Sequence, residues 1–268
     1  MLNNKFSNII SKLETKIFHP VKVAKKLLSQ NSELRADGVF NWSLPAFVVK
    51  LTNGVTFNVC PAAGACASFC YARNGTYLFS NVKNRHIQNL ELVIYNLKDW
   101  QAQMLAEVQN KKMTGKHIRI HDAGDFFSDE YLLAWLEIAI QTPKVTFYCY
   151  TKEVSRFKRL VELNCPNNFK YLYSMGGKED HLINKEKDRH ADVFTNDEAI
   201  QDAGYMNQAA SDLLSITLPT TKIGIPANNI RHFNKRMNGK TFSELQSAKV
   251  ASKLKPNNLK KSPKKKAC

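Results

Sequence analysis

Cys60, Cys66 and Cys70 put three thiols within eleven residues, half of the six cysteines in the 268-residue chain. Thiols this close together are metal ligands or disulfide partners. A disulfide would leave the third sulfur over. Structural zinc would need a fourth ligand, such as His86 or His121, and is usually held by paired Cys-x2-Cys steps, which are absent here. A 4Fe-4S cluster with three protein ligands and one open iron would use all three. Cys66 and Cys70 lie four apart, so one helical turn would put them on one face. Cys60 would reach them across a loop made pliable by Gly64, with Phe69 as a shield. A second set of candidates lies downstream. His121 could act as a general base, and Asp122 and Asp125 flank Ala123-Gly124. Tyr150-Thr151-Lys152 offers a cation for a carboxylate or phosphate. Ser174-Met175-Gly176-Gly177 offers a hydroxyl and backbone amides for a ribose or phosphate. Taken singly, each has a plainer reading. Asp125 could cap a helix, His121 could be a core histidine, Lys152 a solvated lysine and Gly176 part of a turn.

The elements around these residues give them a common location. Ala46–Thr52 and Val55–Cys60 are β-rich runs joined by Asn53-Gly54, a strong hairpin signal. Arg85–Lys112 has helical periodicity with a break near Lys98-Asp99. Beyond Gly115, strands alternate with helices. Strands are expected at Lys116–His121, Val145–Tyr150, Phe169–Ser174, His190–Phe194 and Lys222–Pro226. Helices are expected at Tyr131–Gln141, with Ser128 as N-cap, at Glu153–Asn164 and at Thr241–Lys253. Alternation of this kind implies an α/β fold with a parallel sheet. The short apolar strands, each followed by polar residues, suggest a partial or irregular TIM-type barrel. Asp122, Asp125, Thr151, Lys152, Ser174, Asn228 and Asn229 would then share the carboxyl rim, where such barrels do their chemistry.

Three regions are expected: a basic helical lead-in over 1–36, one barrel-like domain over 37–248, and a Lys-rich disordered tail over 249–268. The formal net charge is +16, and 249–268 holds eight lysines and no acid. A basic balance of this size suits a nucleic acid or nucleotide partner through attraction to phosphates. Arg231, His232, Lys235 and Arg236 form a further basic group. Residues 1–10 carry charge without a continuous apolar run or a small-residue cleavage site. No run of about eighteen apolar residues occurs, so a cytoplasmic protein with no membrane span is expected.

The three-cysteine loop after an early strand, with an aromatic before its last cysteine, resembles the radical S-adenosylmethionine superfamily. The usual spacing there is Cys-x3-Cys-x2-Cys, whereas this chain has Cys-x5-Cys-x3-Cys. The resemblance implies that Cys60, Cys66 and Cys70 ligate a 4Fe-4S cluster and that the cofactor S-adenosylmethionine binds its open iron. It also implies that Gly124-Asp125 holds the cofactor's amino group and that an electron donor is needed. More closely, Cys60-Pro-Ala-Ala-Gly-Ala-Cys66, Phe69-Cys70-Tyr71-Ala72, His121-Asp-Ala-Gly-Asp-Phe and Tyr150-Thr-Lys resemble the phage gene-product-eighty-eight family, over roughly residues 45–230. That likeness implies a phage or prophage origin and a host-cytoplasm location, and brings no reaction with it. Two rival readings stand beside the radical enzyme. One is a DNA base-exchange transglycosylase-like barrel with an aspartate nucleophile; the other is a non-catalytic, metal-containing nucleic-acid-binding protein.

Overall fold

A computed structural model describes residues 26–227 and 231–254. Its strands are β1 (Val39–Trp42), β2 (Val48–Lys50), β3 (Thr56–Asn58), β4 (His117–Ile120), β5 (Thr146–Thr151), β6 (Phe169–Ser174), β7 (His190–Phe194), β8 (Met206–Asn207) and β9 (Lys222–Pro226). Seven of them form one sheet in the order β1-β4-β5-β6-β7-β9-β8, and every pairing in it is parallel. The sheet is open, with β1 and β8 at its edges among the described residues. β2 and β3 form the expected antiparallel hairpin, with Val48 opposite Asn58.

The helices are α1 (Ser32–Ala36), α2 (Ser80–Tyr95), α3 (Leu97–Val108), α4 (Asp129–Gln141), α5 (Val154–Leu160), α6 (Asp197–Asp202), α7 (Leu214–Thr217), α8 (Arg231–Met237) and α9 (Phe242–Leu254). The break in the long helical stretch falls at Asn96, between α2 and α3. Ser128 caps α4 as expected, accepting from Tyr131 N–H. β1, β8 and α6 were not expected from the sequence. Of the lead-in over 1–36, residues 1–25 lie outside the described residues, and α1 is its described helix.

Alternation along each strand gives the sheet two different faces. Ile118, Ile120, Phe147, Cys149, Phe169 and Tyr173 join Trp100, Met104, Trp135 and Ile138 of α3 and α4 in the main core. Trp100 has no exposure and meets Trp42, Tyr131 and Trp135 ring to ring. The opposite face carries Val39, Tyr148, Leu172, Ala191 and Ile223, partly covered by Leu213 and Ile216. Arg119 lies on this second face, between Ile118 and Ile120.

α9 fastens the cysteine loop to this frame. Gln246 accepts from Ala65 N–H at 2.7 Å, and Lys249 Nζ donates to Gly64 O at 2.9 Å. Asp192, buried on β7, accepts from Ser243 N–H in the first turn of α9. Lys249 and Lys253 thus belong to a helix that reaches Leu254, not to the tail expected from 249. Residues 255–268 lie outside the described residues.

A Cβ at Gly64 would fall 2.3 Å from Gln246 Oε1 and 2.7 Å from the backbone oxygen of Gly176. The side chain could move; the backbone oxygen could not without shifting the end of β6. Gly64→Ala is therefore expected to destabilise the protein by about 1–3 kcal/mol in chemical denaturation, and to speed labelling of the three cysteines by a thiol reagent. Trp100→Ala, a change in the main core, should cost about 3–5 kcal/mol and leave labelling of the folded form unchanged.

Candidate functional site

Cys60 lies two residues beyond β3, so the hairpin delivers the cysteine loop to the carboxyl ends of β4, β5 and β6. Short 3-10 turns over Ala65–Ser68, Tyr71–Arg73 and Gly75–Leu78 carry the chain from there to α2. The expected single helical turn is absent. Cys66 lies within the first 3-10 turn and Cys70 beyond it, which reflects the non-helical Gly64 at its start. The loop is bonded to the rim at several points. Ala62 N–H donates to Glu153, Lys178 N–H to Ala62 O, and Cys66 N–H to Gly176 O. Phe69 packs against Phe233 and Phe242, with Arg236 over its ring at 4.9 Å.

The five described cysteines are all free thiols, so no disulfide forms among them. Burial pushes the Cys60 thiol well up, and the Asp125 carboxylate pushes it further; the Phe47 N–H partly offsets both, while Cys70 and Cys66 add to the rise. Burial likewise raises Cys70, against the Ala72 N–H. Metal binding at these thiols would release protons. Thiols are the residue type that iron–sulfur clusters use as ligands. Among the described residues, no three His, Cys, Asp or Glu side chains stand around one point as a ready-made ion site. The three thiols therefore match a cluster by residue type and by lying on one loop, and loading would have to draw that loop together.

Asp125, Thr151, Lys152, Ser174 and Gly176 are brought together as one hydrogen-bonded rim. Buried Asp125 accepts from Phe126 N–H at 2.8 Å, from Thr151 Oγ1 at 2.7 Å and from Lys152 N–H at 2.9 Å. Burial still raises its pKa against those bonds. Lys152 Nζ donates to Ser174 Oγ at 2.6 Å, Met175 O at 3.0 Å and Ser174 O at 3.1 Å, which uses its three protons. Gly176 N–H donates to Asp180. Gly124 has φ +91°, and a Cβ there would lie 2.7 Å from Leu44 Cβ, so packing as well as the turn demands glycine.

His121 and Asp122 stand apart from that rim. His121 adopts φ +66°, a left-handed conformation uncommon outside glycine. It is buried against Phe126 and Tyr131. Tyr131 OH accepts from Trp42 Nε1 and lies 2.8 Å from His121 Nε2. Giving its proton to Nε2 leaves the imidazole proton on Nδ1, which has no partner. Burial lowers the His121 pKa to about 3, so the ring is neutral at physiological pH. Asp122 keeps some contact with solvent, its side chain 12% exposed, beside Arg119 at 3.4 Å. Tyr77 donates to its carboxylate and Tyr71 to its backbone carbonyl. His86 lies against Tyr77, and burial lowers its pKa. Asn228 and Asn229 lie outside the described residues, as do the side chains of Arg231 and His232. A cavity of about 420 Å³ lies at the opposite end of β6, around Cys165, Lys170 and Arg189, and none of Cys60, Cys66 and Cys70 lines it.

Glu153, Asp180, Gln246, Arg119 and Asp212 were not among the sequence candidates. Glu153 and Gln246 act through backbone groups far off in sequence, and Asp180 through the nearby Gly176 and Gly177 amides; Asp212 lies in a segment with no periodic pattern. Only the placement of Arg119 mid-strand between isoleucines was a visible signal.

Asp125→Ala would leave three donors facing an apolar gap. It should cost on the order of 3 kcal/mol in chemical denaturation, whereas Thr151→Val, which removes one donor and leaves the carboxylate two, should cost about 1 kcal/mol.

Comparison with known proteins agrees with the phage likeness. Over 112 residues the chain is 30% identical to the Gene 88 protein of Mycobacterium phage L5, covering 39% of this chain and 46% of that protein. The Gene 88 protein of Mycobacterium phage D29 matches to the same extent. The chain thus spans about half the length of the curated relatives it matches. No solved structure matches it. The profile described as Gene product 88 matches residues 20–253, most of the chain, which therefore belongs to the gene product 88 family.

Proposed function

We propose that this protein is a radical S-adenosylmethionine-like iron–sulfur enzyme acting on a nucleotide or nucleic acid. The observation that carries the reading is the attachment of the cysteine loop to the ends of β5 and β6 through Glu153 and Gly176. That attachment sets three thiols over one end of an open parallel sheet. The run β4-β5-β6-β7 in neighbouring order is what a partial barrel would have. Cys60, Cys66 and Cys70 would hold a 4Fe-4S cluster with one iron left for S-adenosylmethionine. When bound, such a cluster supplies an electron for reductive cleavage of that cofactor, and an external donor replaces it.

The chain's own residues do the rest. Phe69, stacked under Arg236 and against Phe242, excludes water from one side of the loop. Asp125, Thr151, Lys152 and Ser174 lock three strand ends together, so that groups bound above them meet a fixed surface. Asp122, beside the rim and with some remaining exposure, is placed to accept a hydrogen bond from substrate. The basic excess draws in phosphates. Among the described residues no helix is long and apolar enough to cross a membrane.

Anaerobic reconstitution with iron and sulfide should give a brown protein with about four irons per chain. Cys66→Ala should lose the colour, and a colourless protein that takes up zinc alone would overturn the reading. Affinity for duplex DNA should fall steeply with salt. Deleting 255–268, with its six lysines, should reduce the slope of log affinity against log salt by up to about five.

A further inference from the structure

The face of the sheet opposite α3 and α4 carries a polar cluster that the rim does not use. Arg119 of β4 lies between two carboxylates, Asp122 at 3.4 Å and Asp212 at 3.2 Å. Its guanidinium stacks on the ring of Tyr150 at 5.3 Å. Tyr148 donates to the Asp212 carboxylate and Tyr77 to that of Asp122, while Tyr71 donates to the Asp122 backbone carbonyl. The side chains of Arg119, Asp122 and Asp212 are only 18%, 12% and 14% exposed. One guanidinium and two carboxylates sum to a charge of −1 in a largely desolvated place, which is costly unless donors satisfy it.

Two donors in the cluster are themselves unmatched. Arg119 Nε and the Tyr150 hydroxyl are both buried without a hydrogen-bond partner. Ser215 lies beside Tyr150 and gives its own hydroxyl proton to Asp212 O at 2.7 Å; its oxygen could still accept, but the Tyr150 hydroxyl does not reach hydrogen-bond geometry with it. Buried polar groups in native structures are nearly always paired, so orphaned ones call for a reason. Here the orphans are donors, and they stand beside carboxylates whose negative charge exceeds the local positive charge. A group that supplied one acceptor and adjacent donors would satisfy both.

We propose that this cluster is a nucleobase subsite selective for a guanine-type edge, a carbonyl oxygen flanked by N–H donors. The carbonyl would accept from Arg119 and Tyr150, and the N–H groups would donate to Asp122. Adenine presents no carbonyl and would leave the orphan donors unmet. The Tyr77 hydroxyl holds the Asp122 oxygen that the base would take. Tyr77 sits on a partly exposed 3-10 turn, edge to face with Tyr71 and beside His86. Moving it aside disturbs no core packing and turns an aromatic ring towards the base, a common stacking arrangement. Tyr71 directly follows Cys70, so a base held here would lie next to the cysteine loop. The inference rests on the nucleotide reading above for its ligand class, but it does not require an iron–sulfur cluster.

Calorimetric titration of the metal-free full-length chain with GMP and with AMP tests it. GMP is expected to bind at least about tenfold more tightly than AMP, in line with the discrimination a bidentate base contact gives. Tyr150→Phe, which keeps the ring under Arg119, should weaken GMP several-fold and leave AMP unchanged. Asp122→Asn should abolish the preference, with thermal melts confirming that both variants are folded. Equal affinity for the two nucleotides, or a GMP preference untouched by both substitutions, would overturn the subsite. Either result leaves the iron–sulfur reading standing, because no metal is present; failure of iron uptake would leave the subsite standing in turn.

Discussion

The buried carboxylate of Asp125 is the interaction on which the rest of the site depends. Water is excluded from it, so its charge is tolerable only because three donors from the chain replace its hydration. Those donors come from its own turn and from the end of β5, so satisfying the charge ties two neighbouring strand ends together. Lys152 continues the tie to β6 through Ser174 and Met175. Glu153, the next residue, holds the cysteine loop by the Ala62 N–H. One short run, Thr151-Lys152-Glu153, thus links the acid after β4, the end of β6 and the thiols.

This arrangement separates two kinds of polar residue that look alike in the sequence. The rim residues have used their hydrogen-bonding capacity on one another and act as a scaffold. Lys152 has no proton left to offer a ligand without breaking the link to β6. The Arg119 cluster is different, holding unmatched donors and an excess of negative charge on the other face of the sheet. Capacity left over, not residue type, marks where a ligand can be recognised.

Much of the parallel sheet could be read from the chain. Phe169–Ser174, His190–Phe194 and Lys222–Pro226 stand where apolar alternation put them, and Ser128 caps α4. The hairpin at Asn53-Gly54 also formed, because its turn residues state their own geometry. β1 went unseen: Val39–Trp42 is four residues long, runs into Ser43-Leu44-Pro45, and is a strand because it can pair with β4. The five rim residues were legible as a group because strand ends share one side of a parallel sheet. Their partners were not, since Gln246 and Glu153 reach the loop over 181 and 91 residues of chain.

His121 shows how one backbone angle can change a residue's role. Regular alternation from Ile118 and Ile120 would put the next side chain on the face of Arg119, beside Asp122 and solvent. The left-handed φ at His121 breaks that alternation and turns the ring back among Phe126 and Tyr131. There, burial holds it neutral, and its Nε2 is engaged with Tyr131. The same turn moves Asp122 away from the core and towards Arg119, Tyr71 and Tyr77. The histidine therefore contributes as packing, while the residue after it gains a partly exposed carboxylate position. A left-handed histidine costs backbone energy that the surrounding aromatic core must offset, and the position it creates for Asp122 is the consequence with chemical use.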